Sequence, residues 1–488
     1  MVAWVDEVVG EIHLGDQRLA ERLRILVETL AERPEASIPE ACQGWAPTQA
    51  AYRFFGNEAV DPERVVVSMA EATLRRCQGE EVVLAVQDTT SLDYTGHRST
   101  VGLGPLEDPT RRGLFVHSTL AVSSKGVPLG LVAQEVWARD PADIGKRHRR
   151  KELPVEAKES AKWLRALEQT EARLGQAART VVTVADREAD VYELFALAQE
   201  LEGEWLIRAS HDRQLAEGVG PLVSLVEGAP VCLHTEVEVP KTDKQPARRA
   251  KLEVRRARAV LVPPRRAKGV IAEWWADHPE AVRLAPEALQ PVSVGVVLVS
   301  EVEAPVGAEP LRWLLLTSLP LDTPEQVLTV IAYYRLRWLI ERYHFVLKSG
   351  CQVEKLQLED AARLRRALVV YAAVAWRLLW LTYEARAHPE APCTVILDDD
   401  AWRLLWAVSY PKAVLPVDVP DLQTAVREIA KLGGFLGRKH DGEPGVKTLW
   451  RGLRRLNDMV ATYRALCQHP ELLAAEPTGT GNVMYVQT

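Results

Sequence analysis

The stretch YYRLRWLIERYHFVLKSG, residues 333–350, is helical by every local criterion. Strong helix formers fill it, proline is absent, and Ser349-Gly350 closes it, so one long helix is expected. At about 100° per residue, Tyr334, Arg337, Glu341 and Lys348 return to within roughly 60° of one line. A phenol, two cations and a carboxylate thus share a stripe where a core helix carries Leu or Val. One plain account of Glu341 is an i,i+4 ion pair with Arg337 on a solvated face. Trp338, Leu339, Ile340 and Phe345 leave little polar face for that, so the stripe is expected to serve a ligand.

Upstream of this helix, short apolar β-branched runs mark strands: VVLAV (82–86), LFVHSTLAVS, VPLGLVAQEVWA, RTVVTVAD, EWLIRASHD and LRWLLLTSLP (311–320). AKESAKWLRALEQTEARLG and the segment after DREAD read as helices between them. From about residue 215 to 310 the texture changes to basic, extended hairpins, including 241–269 and 292–304. With that β-rich insertion set aside, the order is β-β-β-α-β-α-β-α, an α/β, ribonuclease-H-like core. The order places Asp88 on the first strand, Asp186 at the end of the fourth and Glu341 on the last helix. Open α/β sheets bind ligands at the carboxyl ends of their strands. Residues 1–62 and 366–488 read as helical domains flanking a catalytic domain at 63–365.

Taken singly, Asp88 reads as a turn residue and Asp186 as an N-cap. Together with Glu341 they form a more specific set. Mg²⁺ prefers a few carboxylates plus phosphate oxygens. Two such ions, about 4 Å apart, activate an attacking oxygen and stabilise a leaving one. Arg337 and Lys348 then suit a phosphodiester. A carboxylate-pair glycosidase gives those cations no task. His97, His117 and His344 lack metal-ligand spacing and read as structural.

The net charge of -7 argues against a uniformly basic nucleic-acid coat and leaves local patches such as 145–153. Six scattered cysteines without a CxxC pair point to a reducing cytoplasm, and the acidic N-terminal segment does not resemble a signal peptide. ALVVYAAVAW (367–376) is too short to span a membrane and reads as a buried helix.

Residues 334–348 carry the spacing Y-x2-R-x3-E-x6-K. They resemble the YREK signature of the DDE transposases of bacterial insertion sequences. The chain is most similar to the hairpin-forming, cut-and-paste group that includes the enzyme of the kanamycin-resistance composite transposon. LGDQRLAERL, AYRFFGN, QDTTSLDY, RGLFVHS, DREAD, WLLLTS and LGGF have counterparts in order, so the similarity runs nearly full length. It implies Asp88, Asp186 and Glu341 as a metal-binding catalytic triad holding two Mg²⁺ ions, with Mn²⁺ able to substitute. It implies Tyr334, Arg337 and Lys348 on transposon-end phosphates. Trp313 would stack on a flipped base that Trp338 helps displace, and Arg208, Arg22 and Arg53 would contact DNA. The implied partners are inverted-repeat ends, target DNA and a second copy of the chain in a homodimer, in a cytoplasmic, nucleoid-associated bacterial setting. A domesticated, non-cleaving DNA-binding protein is the alternative. One departure stands out: Phe345 occupies a position where the resemblance leads one to expect Lys.

Overall fold

Helices Ala3–Val9, Gln17–Glu32, Ile38–Cys42, Trp45–Gly56 and Pro62–Cys77 precede the first strand. Their starts follow local chemistry: Asp61 accepts a hydrogen bond from the Glu63 amide, and Pro62 occupies the first turn, where no N–H is needed. Leu23, Leu26, Val27 and Leu30 form the buried stripe of the second helix. The computed structural model describes residues 3–10, 12–143, 153–175, 178–215, 219–239, 247–264 and 289–474. The basic loop at 145–152 and the tips of the basic hairpin at 241–269 lie outside them.

Ten strands follow: β1 (Val82–Asp93), β2 (Gly104–Pro105), β3 (Arg112–Ser123), β4 (Pro128–Trp137), β5 (Thr180–Ala185), β6 (Glu204–Arg208), β7 (Val231–Val239), β8 (Arg248–Leu261), β9 (Val292–Val302) and β10 (Arg312–Thr317). They make one sheet in the order β2-β3-β1-β5-β6-β10-β9-β8-β7, with β4 on β3. The run β4-β3-β1-β5-β6, antiparallel at β3/β1 and parallel at β1/β5 and β5/β6, is the ribonuclease-H-like core that was expected. Helix Ala161–Leu174 makes the crossover into β5, burying Trp163, Leu164 and Leu167. Helix Pro62–Cys77 packs so closely on β4 that a Cβ on Gly130 would meet the Thr73 hydroxyl at 2.0 Å.

Two expectations need correction. The insertion does form extended antiparallel pairs, β7 with β8 and β8 with β9, but they do not stand apart from the core. Strand β10 pairs with β6 on one side and β9 on the other, so β7–β9 extend the core sheet. The basic residues described there are mostly paired, as in Arg248–Glu301, Arg249–Glu236 and Arg258–Asp322. Second, 333–350 is not one regular helix. A helix spans Pro324–Leu336, opened by a Thr323/Gln326 capping box. At Arg337 the turn tightens, its amide donating to the Tyr334 carbonyl three residues back. A second helix, Trp338–Phe345, runs into a π-helical turn at Val346–Gly350, where the Cys351 amide reaches the Val346 carbonyl.

Backbone packing divides the chain into two compact units, residues 1–31 with 35–380 and residues 32–34 with 381–488. The division falls inside the 27-residue helix Ala361–Ala387. In the second unit, helices Leu422–Leu432 and Val446–Gln468 approach backbone to backbone. A Cβ on Gly452 would lie 1.7 Å from the Ile429 carbonyl oxygen, and one on Gly433 would lie 1.8 Å from that of Thr448. Among the described residues no helix is long and apolar enough to cross a membrane.

Candidate active site

Strand register builds the site. Strand β1 does not end at Val86; it continues to Asp93 because β3 pairs with it through Asp93↔Gly113. Asp88 is therefore a mid-strand residue opposite Ser118, and the turn reading fails. Parallel β1 and β5 pair through Val86↔Val184. Asp88 stands two residues past Val86 on β1, Asp186 stands just beyond the end of β5, two residues past Val184, and the charge of Asp186 reaches Asp88. Asp186 also caps the turn that follows, accepting from the Glu188 amide at 2.9 Å, so its N-cap role is real as well.

The helix Trp338–Phe345 is pinned over this point by buried polar contacts. The Tyr343 hydroxyl accepts from Gln134 Nε2 at 3.1 Å, and His344 Nε2 lies 3.2 Å from Ser118 Oγ. His344 Nδ1 lies 3.9 Å from the Asp88 carboxylate. Burial, and secondly the charge of Lys348, push the His344 pKa down to about 3, so the ring is neutral. Its place beside Asp88 was not visible in the sequence; only the β1/β3 register reveals it.

The electrostatics show a site with surplus negative charge. Burial pushes the Asp88 carboxyl up to about 7, and Asp186 adds like-charge repulsion, followed by a smaller effect of Glu341. Arg337 works in the opposite direction. Arg337 is itself held above its ordinary pKa: burial opposes its charge, but Tyr334, Glu341 and Asp88 outweigh that cost. Its guanidinium lies 6.0 Å from the Tyr334 ring centroid and forms an ion pair with Glu341. The i,i+4 pair that the helix pattern argued against is thus present, because the Glu341 side chain is 55% exposed and free to fold back.

Among the described residues, no three acidic, His or Cys side chains stand close enough together to cage a metal ion. The donor set nevertheless fits one. A carboxylate pushed up to about 7 by burial and by the nearby Asp186 is what a hard divalent cation relieves, and carboxylate oxygens are the ligands it prefers. Asp88 and Asp186 would hold it, with Glu341 joining after leaving Arg337.

Around the carboxylates, Trp313 and Tyr334 rings pack 5.8 Å apart, and Tyr334 feels the charges of Arg337, Arg208 and Asp186. Trp313 and Arg208, two residues expected to meet DNA, therefore lie near Tyr334 and the carboxylates. Arg208 also donates to the Arg312 carbonyl at 2.9 Å. Lys348 departs from the stripe: it donates to the Ser91 carbonyl at 2.9 Å and pairs with Glu354 at 3.4 Å. Trp338 is 43% exposed. In the N-terminal helices Arg53 is exposed beside Gln49. Arg22 is half-buried, and its charge reaches Cys42, which contacts Thr48. Sequence reasoning also missed Asp190 of DREAD. Buried, it accepts from Arg213 at 2.5 Å and from the Ser210 and His211 amides at 2.7 and 3.0 Å, tying the Asp186 loop to the segment after β6.

Three family models match the chain. A transposase DNA-binding model matches residues 1–60, a transposase DDE domain residues 154–377, and a transposase Tn5 dimerisation domain residues 373–471. The DDE match includes Asp186 and Glu341; Asp88 lies before it. With transposase DNA-binding, DDE and dimerisation models matching in order along a chain that carries a ribonuclease-H-like sheet, the domains are those of a DNA transposase. The DDE domain implies a metal-dependent DNA endonuclease and strand transferase.

Proposed function

We propose that the protein is a YREK-type transposase that moves DNA by cut and paste: it nicks at transposon ends, closes them as hairpins, reopens them and joins the 3′ ends to target DNA. The observation that most supports the reading is the mutual influence of the carboxylates: the charges of Asp186 and Glu341 both act on the buried Asp88. Asp88, Asp186 and Glu341 are the catalytic carboxylates of this proposal. Two Mg²⁺ ions held there would supply Lewis-acid activation of the attacking and leaving oxygens. The protein groups orient the DNA. Arg337 neutralises the scissile region, and Trp313 beside Tyr334 offers a stacking face for an extruded base. Arg22 and Arg53 hold the inverted-repeat end, and two copies of the chain act on two ends. Each step is an in-line phosphoryl transfer at one site.

The Arg337–Glu341 pair favours a second reading, a DNA-binding protein that no longer cuts. One experiment decides between them. Inverted-repeat duplex from the DNA flanking the gene is incubated with Mg²⁺ or Mn²⁺ and the wild type, Asp88→Ala, Asp186→Ala or Glu341→Ala. Cleavage by the wild type and none by the variants, with gel-shift binding retained by all, supports the transposase. Binding without cleavage by the wild type supports the second reading.

A further inference from the structure

We infer that Arg342 is a DNA-backbone contact whose guanidinium holds a phosphate of the strand lying across the Glu341 helix; this rests on the DNA-cleaving function proposed above. Trp338, Glu341, Arg342 and Phe345 stand at i, i+3, i+4 and i+7, which is one face of the helix Trp338–Phe345. The Arg342 guanidinium lies 5.8 Å from the Trp338 ring centroid and 5.0 Å from that of Phe345. Both rings are within cation–π range of it. A guanidinium beside aromatic rings keeps its planar fork of N–H donors, which suits phosphate oxygens.

Neighbouring cations are otherwise engaged. Arg337 is paired with Glu341, and Lys348 with Ser91 and Glu354. Among the described residues no carboxylate pairs with Arg342. It follows Glu341 on the helix, and where carboxylates gather a polyanion needs a cation to approach. An arginine beside two aromatics and, among the described residues, without a carboxylate partner is prepared for an anion that arrives from outside the chain.

The test uses a fluorescent duplex carrying the inverted repeat that flanks the gene, read by anisotropy without divalent metal across a salt series. Arg342→Ala is expected to weaken binding about three- to tenfold at moderate salt and to make the log-log salt slope shallower by about one, the signature of one lost phosphate contact. Arg342→Lys should keep the slope, and the melting temperature should stay unchanged in both variants. Unchanged slope and affinity in Arg342→Ala overturn the inference. So does an equal loss in both variants with a lowered melting temperature, which marks Arg342 as a packing residue. A wild type that neither binds nor cuts this duplex defeats the proposed function itself, and is thereby told apart from a failure confined to Arg342.

Discussion

Asp88→Asn should stabilise the metal-free protein while abolishing cleavage. Burial and Asp186 raise the Asp88 carboxyl from 3.8 to about 7. A folded-state pKa above the unfolded one means that the folded form is favoured while the group is protonated, below about pH 4. That advantage is lost as pH rises through about 7. At about 1.4 kcal/mol per tenfold change in proton affinity, the ionised carboxylate costs the fold on the order of 4 kcal/mol at pH 8. The side chain keeps 19% of its exposure, so solvent takes part of that and about 4 kcal/mol is a ceiling. Asparagine is nearly isosteric and uncharged, so it removes the cost. The assay is thermal unfolding of wild type and variant between pH 4 and pH 8.5, with and without Mn²⁺. The variant's melting temperature should match the wild type's near pH 4 and exceed it by a few degrees at pH 8. Mn²⁺ should raise the wild type at pH 8 and leave the variant nearly unmoved, because only the wild type gains by neutralising Asp88. A difference that is flat with pH, or a variant less stable than the wild type at pH 8, would falsify the electrostatic account.

Three further outcomes are expected. Trp313→Ala should slow hairpin formation by about one to two powers of ten at a fixed nicking rate, since base stacking is worth roughly 1–3 kcal/mol; nicked and hairpin products on a denaturing gel measure it, and equal loss of both steps makes Trp313 structural. Asp190→Asn should cost about 3 kcal/mol because it leaves Arg213 beside an uncharged partner. Burial opposes the Asp190 charge, but Arg213 and the Ser210 amide hold its pKa below the ordinary value; its stabilisation is thus present above about pH 4 and lost on further acidification, and a urea midpoint that falls in the wild type but not in Asp190→Asn below pH 4 is the check. Light scattering should show a monomer in free solution and a dimer on paired ends, with the 373–471 dimerisation domain required; efficient cutting by a strict monomer counts against the two-end assembly.

Much of the core was legible because its signals are local. VVLAV and RTVVTVAD are buried strands by composition alone, and the element order fixed the ribonuclease-H-like arrangement. What sequence could not show was lateral placement. The extent of β1 beyond Val86 depends on β3, a partner some thirty residues away, and only that pairing makes Asp88 a mid-strand group next to His344. The helix pattern assumed a constant 100° per residue. The tight turn at Arg337 and the wide turn at Val346–Gly350 depart from that constant, and Lys348, within the wide turn, donates to the Ser91 carbonyl. The ion pair at Glu341 is the ordinary i,i+4 contact of neighbours on one helix face, and the apolar residues around it did not exclude it because the Glu341 side chain is 55% exposed.

The joining of β7–β10 to the core sheet bears on protein engineering. A truncation that trims the apparent insertion would unzip β9 from β10, exposing a ladder of unpaired amides and carbonyls along Leu314, Leu315 and Leu316. Such a bare apolar margin invites pairing with another molecule's strand. Shortened variants should therefore precipitate on expression, and a soluble minimal enzyme is better sought by trimming the tail beyond Gln468 than by excising the middle.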